Sequence, residues 1–551
     1  DYDLIKFYGR HAMERNMERM PVSHESTRIG SRRGTSSHQY NPGVILAGKN
    51  TNEDSGSCYG MLFVYSGNFL VEAEKDQYDQ TRIQMGLTDE LFAYPLEAGA
   101  EFTAPEVILS YTNKGLSRLS QQYHHCIMNH ICQGKYVHAN RPVLINSWEA
   151  FYFDFDAPKL LGLADVAADL GMELFVLDDG WFGKRDDSTS SLGDWYPNEE
   201  KLKGTLKELA EKINAKGLKF GLWIEPEMTN KDSDLYRAHP DWILAEQGKR
   251  ICHSRTQYVL DFSKKEVREY IGDMLENLLA EVPVSYIKWD MNRTFSEVFS
   301  NGNDREYQGK VCHKYILGVY ELYERLTSRF PHVLFESCAS GGARFDPGML
   351  YYAPQGWTSD DTDAIERLKI QYGTSMVYPV SCMGSHVSAS PNHQTNRVTP
   401  LETRADVAYF GTFGYELDLL KLGEEDKAEI RRQIAFMKEK RDLIQKGTFY
   451  RLKSPFEGNE TAWMIVSEDQ KKALVGYYRV MQPVNVGFKR LKLKGLKEDT
   501  CYKVSGYAYD CYGDELMQVG MILSDSASGV WKKGVNDKGD FQAEVFEIVA
   551  V

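Results

Sequence analysis

Between positions 142 and 445 the chain repeats one hydrophobic rhythm: a short apolar run ending in polar or aromatic residues, then a stretch of helical periodicity. The runs are PVLINSW (142–148), LFVLDDGW (174–181), KFGLWIEPE (219–227), SYIKWDMN (285–292), HVLFESCASGG (332–342), QGWTSDD (355–361), MVYPVSC (376–382) and a weaker FGTFGYELD (410–418). Eight such runs alternating with helices predict an α/β fold, a parallel (β/α)8 TIM barrel. Among the helices, Leu202, Leu206, Leu209 and Ile213 form one apolar stripe, with Gly217 at the C-terminal cap position. Ser263-Lys264-Lys265-Glu266 has the capping-box pattern, opening a helix whose buried stripe is Val267, Ile271, Met274 and Leu278.

The flanks read differently. Residues 1–111 carry short alternating runs such as GMLFVYSGNFLVEAE (60–74) between Gly, Asn and Ser turns, the pattern of an antiparallel β-sandwich. Residues 112–141 read as a linker helix, 142–446 as the catalytic barrel and 447–551 as a smaller antiparallel β-sandwich. The strands of the last are FYRL, TAWMIVS, KALVGYYRV, VNVGFKRLKL, CYKVSGYAY and FEIVAV. The chain starts at Asp1, in what reads as the middle of a structural unit, so the first sandwich is expected to be partial.

The bulk numbers narrow the function. A length of 551 residues and a net charge of −14 favour a globular chain and argue against nucleic acid or anionic membrane as a partner. No apolar run approaches the roughly 18 residues of a spanning helix. Nine scattered cysteines form no tight framework, and with no leading signal segment they read as reduced thiols of a cytoplasmic protein.

In parallel barrels chemistry gathers at the C-terminal ends of the strands. Here those ends carry Trp148, Asp178, Asp179, Trp223, Glu225, Lys288, Asp290, Asn292, Cys338, Asp360 and Asp361. Carboxylates, indoles and amide or cationic donors at one mouth suit a sugar. In SYIKWDMN, Tyr286, Lys288, Asp290 and Asn292 share one strand face, and the Lys288 ammonium, two residues away, stabilises the charged form of Asp290. A retaining glycosidase needs two carboxyls roughly 5–5.5 Å apart, a nucleophile and an acid/base. Asp290 can be one, and Asp360, at the end of the sixth run, can be the second. Local sequence leaves open a purely structural Lys–Asp pair, and an acidic helix start for 360–363, of which Asp363 is placed to cap AIERLKIQYG. HHCIMNHIC (124–132) offers three His and two Cys, but on one helix they cannot all converge on zinc.

The segments VLDDGWFG (176–183), GLWIEPEM (221–228), YIKWDMNR (286–293), ESCASGGARFDPGML (336–350) and WTSDDTDAIER (357–367) together closely resemble bacterial α-galactosidases of glycoside hydrolase family 36. The resemblance covers nearly the whole chain. It implies retaining hydrolysis of terminal α-galactose from melibiose and raffinose-type sugars, with no metal and no organic cofactor. It places the nucleophile on Asp290 and the acid/base on Asp360. It assigns the sugar's O4 and O6 hydroxyls to Asp178 and Asp179 and stacking to Trp148 and Trp223, and it lines the pocket with Arg255, Lys288, Asn292, Cys338 and Gly341. It also implies a homo-oligomer, tetrameric in full-length relatives, with a neighbour's N-terminal loops closing the pocket. On this reading Asp360 is expected to hold a proton near neutrality, its pKa raised by the charge of Asp290. The alternatives are an α-N-acetylgalactosaminidase or an α-galactosyl transferase on the same fold, and a catalytically silent sugar-binding protein.

Overall fold

The computed structural model describes residues 1–252, 254–484, 489–523 and 539–551. Its centre is the expected closed parallel barrel, with eight strands in sequence order: Leu144–Asn146, Leu174–Leu177, Lys219–Ile224, Tyr286–Trp289, Leu334–Ser337, Gln355–Trp357, Met383–Ser388 and Thr412–Glu416. Every strand is buried along nearly its whole length, so its backbone groups depend on the ladder for partners. Inward side chains change character with height. Leu144, Leu174, Val176, Tyr286 and Leu334 form an apolar plug. Two residues further along the same strands stand Asn146, Asp178, Lys288 and Glu336, because strand side chains alternate with period two.

Three local expectations fail for identifiable reasons. The seventh strand is Met383–Ser388 and not 376–382, where the chain runs from a helix end into a 3₁₀ turn at Val380–Cys382. Pro379 inside that apolar run has no N–H for a ladder. The stripe from Leu202 to Ile213 belongs to two helices, Glu199–Leu202 and Leu206–Asn214, broken at Lys203–Gly204. The Ser263 capping box does not form, because Asp261 takes both the N–H and the hydroxyl of Ser263; that helix starts at Lys265 with no side-chain cap. A capping box does form between Thr205 and Glu208.

Ahead of the barrel lie a five-stranded and a three-stranded antiparallel sheet, followed by a helix at Gly115–Cys126. Behind it the long helix Glu424–Lys446 leads into a six-stranded antiparallel sheet beside a two-stranded one. Of the run 484–493, residues 485–488 lie outside the described residues, and Arg490–Leu491 pairs with Met521–Ile522. No helix among the described residues is long and apolar enough to cross a membrane.

One element of the first sheet reaches the barrel mouth. The hairpin of Tyr2–Arg10 and Met13–Pro21 turns through His11 and Ala12, with Ala12 in the left-handed region at φ 62°. Its second strand lies on the helix Ala364–Ser375, the one that follows the sixth barrel strand. Contact is close enough to require glycine: a Cβ on Gly373 would stand 1.9 Å from the Arg15 carbonyl oxygen.

Candidate active site

The fourth barrel strand delivers Asp290. Its own N–H bonds to the Ile224 carbonyl (2.8 Å), continuing the ladder one residue past the strand. Its Oδ1 accepts the backbone N–H groups of Met291 (2.8 Å) and Ser340 (3.0 Å). Its Oδ2 accepts the Trp223 indole N–H (3.2 Å) and the Asn292 amide (2.6 Å). All four partners are N–H donors, so the group they fit is an acceptor-only carboxylate in a fixed orientation.

Lys288 lies below it but is not paired with it as the sequence reading expects. Its ammonium bonds Asp178 Oδ2 at 3.0 Å, across the barrel from the second strand. Trp357 and Glu416, from the sixth and eighth strands, complete this level, as inward residues of alternate strands do in such barrels. Burial opposes the Lys288 charge, but Asp178, Glu416, Cys338 and Asp290 outweigh it and hold the ammonium charged. The adjacent carboxylates separate: Asp178 also accepts from Asn146 (2.7 Å), whereas Asp179 forms a two-pronged pair with Arg185 (2.8 and 2.7 Å).

The loop from Cys338 to Gly342 joins the two sides of the mouth. Burial pushes the Cys338 thiol up, and the charges of both Asp290 and Asp360 add to that shift. Ser340 donates to Asp290, while Gly341 stands against the other carboxylate's backbone. At φ 77° Gly341 is left-handed, and a Cβ there would lie 2.7 Å from the Asp360 nitrogen and 2.8 Å from Glu14 Oε1.

Asp360 sits three residues past the end of the sixth strand, in an irregular stretch. Its Oδ1 accepts the Trp357 indole N–H (3.0 Å), and its Oδ2 lies 2.8 Å from His11 Nε2, at the tip of the N-terminal hairpin. Here the expected raised pKa is overturned. Burial would raise it, but the hydrogen bond and charge of His11, with Lys288 and His38, hold the carboxyl below the ordinary aspartate range. The two neighbouring carboxylates do other work. Asp361 Oδ1 accepts the Asp363 N–H (2.9 Å), and burial pushes Asp361 up to about 6. Asp363 caps the following helix as expected, accepting from Ile365 (2.8 Å) and Glu366 (3.3 Å).

The remaining expected residues spread around the rim. Trp148, half-buried, packs edge-on against Tyr152 and Phe153. Trp223 is buried with one ring face towards Phe182, at an interplanar angle of 11°. Asn292 links two acids: its side chain donates to Asp290 and its backbone N–H to Glu225. Arg255 is exposed on a left-handed backbone (φ 54°) and acts by charge on Glu225 and His11. Glu225, fully buried, is pushed up to about 8 by burial and the charge of Asp290. The sequence reading passed over His11, Arg185 and Glu416. Glu416 ends the eighth strand, a signal that was available. Nothing local marks His11, which lies 349 residues from its partner. In 124–132, His124 turns to the Ser375 carbonyl (2.8 Å), and among the described residues no three His, Cys, Asp or Glu side chains are grouped to hold a metal ion.

Two carboxylates joined by one strand-end loop, on a (β/α)8 barrel with a polar, indole-lined mouth, define the class as a glycoside hydrolase. Comparison with known proteins makes that specific. A Melibiase model matches residues 101–447, and models of the glycosyl hydrolase family 36 N-terminal and C-terminal domains match 1–97 and 460–548. The chain is 56% identical over 525 residues to the bifunctional alpha-galactosidase/sucrose kinase AgaSK of Mediterraneibacter gnavus, covering 95% of this chain and 55% of that protein. It is 50% identical over 536 residues to alpha-galactosidase AgaA of Geobacillus stearothermophilus, covering 97% and 73%. A crystal structure of an AgaA variant in complex with raffinose superposes with a TM-score of 0.97 at 48% identity, over 100% of this chain and 75% of that one. The chain belongs to glycosyl hydrolase family 36, and its activity is that of an α-galactosidase.

Proposed function

We propose that the chain removes terminal α-galactosyl groups from melibiose and raffinose-type oligosaccharides by a retaining double displacement, with Asp290 as nucleophile and Asp360 as acid/base. The observation that carries the assignment is the setting of Asp290: a strand-end carboxylate oriented by four N–H donors, with the Ser340 donor on the same loop as Gly341, which packs against Asp360. An Asp290 oxygen attacks C1 as the glycosidic C–O bond breaks, and the departing oxygen takes a proton from Asp360. Water then attacks the β-linked galactosyl-enzyme and gives its proton to Asp360. The sugar leaves as the α-anomer and Asp290 is freed.

Substrate binding follows from the polar rim. Asp178, held between Asn146 and Lys288, and Asp179, held by Arg185, present fixed acceptors to ring hydroxyls. Trp148 and Trp223 border the sugar, with Asn292, Cys338, Arg255 and Gly341 around it. The raffinose complex of AgaA supports oligosaccharides as substrates. Homo-oligomeric assembly and a cytoplasmic location belong to the same reading, and are checked by sizing and by fractionation.

The test is Asp290→Gly with azide. Turnover of an aryl α-galactoside should be abolished, and azide should restore part of it, giving β-galactosyl azide. An α-azide product, or undiminished activity without azide, contradicts the assignment.

A further inference from the structure

We propose that His11 and Asp360 act as one proton-holding unit, in which an imidazole carried by the N-terminal hairpin stores and orients the proton that Asp360 passes to the leaving oxygen. The inference rests on the reading of Asp360 as the acid/base.

The geometry leaves few choices for that proton. An indole N–H only donates, so Trp357 fixes Asp360 Oδ1 as an acceptor. A proton on the carboxyl therefore belongs on Oδ2, the oxygen 2.8 Å from His11 Nε2. That contact needs one proton between the two atoms. When the pair also holds the proton to be donated, it does so as imidazolium with carboxylate or as imidazole with carboxylic acid; once that proton has left, a neutral imidazole protonated on Nε2 still bonds the carboxylate. The charged pair is the favoured resting form, since the hydrogen bond to Asp360 raises His11.

The hairpin fixes His11 in place. Glu14 accepts the Gly342 N–H (3.4 Å) and the Ser359 hydroxyl. Arg15 donates to the Thr374 hydroxyl (2.6 Å) and to the carbonyls of Gly342 (3.2 Å) and Thr358. Residues on both sides of Asp360 are thus tied to the strand that carries the turn. The His11 ring meets His38 edge-on at 5.7 Å, and His38 Nε2 lies 2.6 Å from the Ser340 carbonyl. Glu14 and Asp360 favour a charged His11. Burial and Arg255 oppose it; Arg10, Arg33 and His38 line the same cavity of about 300 Å³.

In the first step the proton moves from His11 Nε2 to Asp360 Oδ2 and on to the glycosidic oxygen as the C1–O bond breaks, leaving neutral imidazole and carboxylate. In the second, the attacking water's proton returns through Asp360 to His11, so the cycle closes with no net change. His11 is a positioning residue here, since it acts through Asp360.

The test measures kcat/KM against pH for melibiose and for 2,4-dinitrophenyl α-galactoside, whose leaving group departs without a proton. With His11→Ala, melibiose should lose tenfold or more relative to the dinitrophenyl substrate. The alkaline limb for melibiose should move to lower pH, because Asp360 alone releases its proton earlier than the pair does. His11→Gln, which keeps a hydrogen bond but stores no proton, should restore thermal stability but not the limb. Equal loss on both substrates, an unmoved limb, or a limb restored by Gln overturns the proposal. Asp360→Ala is the control: if it spares melibiose, the acid/base reading itself fails, whereas if it loses melibiose while His11→Ala does nothing, only the shared proton fails.

Discussion

Asp290 takes all four of its N–H donors from the barrel and its strand-end loops, whereas Asp360 has one donor from its own strand and a second partner from a hairpin of another sheet. The first arrangement suits a group that must keep one orientation and present a lone pair. The second suits a group that must gain and lose a proton, because its partner is an imidazole that can itself carry one, its pKa raised by the hydrogen bond to Asp360. Rigid donors and a titrating neighbour are two ways of setting a carboxylate, and the mouth uses one on each side.

The largest expected effect on this contrast comes from Gly341→Ala. The added Cβ would press on the Asp360 nitrogen and on Glu14, at a backbone angle that costs a residue with a side chain about 1–2 kcal/mol. Displacing Asp360 while leaving Asp290's donors in place should lower kcat/KM on melibiose by about 10- to 100-fold. The dinitrophenyl galactoside, attacked by Asp290 without need of an acid, should lose less. Equal losses on both would mean that the loop serves the two carboxylates alike.

A smaller effect sits under Asp290. Glu225 is buried with amide donors from Gln257 and Asn292, and is pushed up to about 8. Between the ordinary glutamate range and that value the folded chain holds a proton that the unfolded chain releases. Stability therefore falls as pH rises through this window, by up to about 1.4 kcal/mol per pH unit. Glu225→Gln should flatten the profile of Tm between about pH 5 and 8. Glu149, pushed up to about 7, and Asp346, to about 6, leave part of the slope in place. An unchanged slope would show that Glu225 is ionised in the folded protein.

Much of this was legible because barrels concentrate information. Strand, strand end and reactive side chain are contiguous, so YIKWDMNR shows both the buried strand and the carboxylate that leaves it. The seventh strand was missed because apolar content was weighed above the missing N–H of Pro379. Partners across space were illegible in another way. Spacing along one strand pairs Lys288 with Asp290, but closure of the barrel brings Asp178 nearer. The expectation for Asp360 considered only the charge of Asp290, and the contact that reverses it comes from the far end of the chain. Asp363 succeeded because a cap is a local device whose donors lie within three residues.

The most direct test of the central claim, that Asp290 is the nucleophile and Asp360 its acid/base, is covalent trapping. Incubation with 5-fluoro-α-galactosyl fluoride, followed by peptide mass mapping, should place the fluorogalactosyl label on the peptide containing Asp290, at that residue. A label on Asp360, or inactivation of Asp290→Gly at the rate of the parent enzyme, would contradict the account.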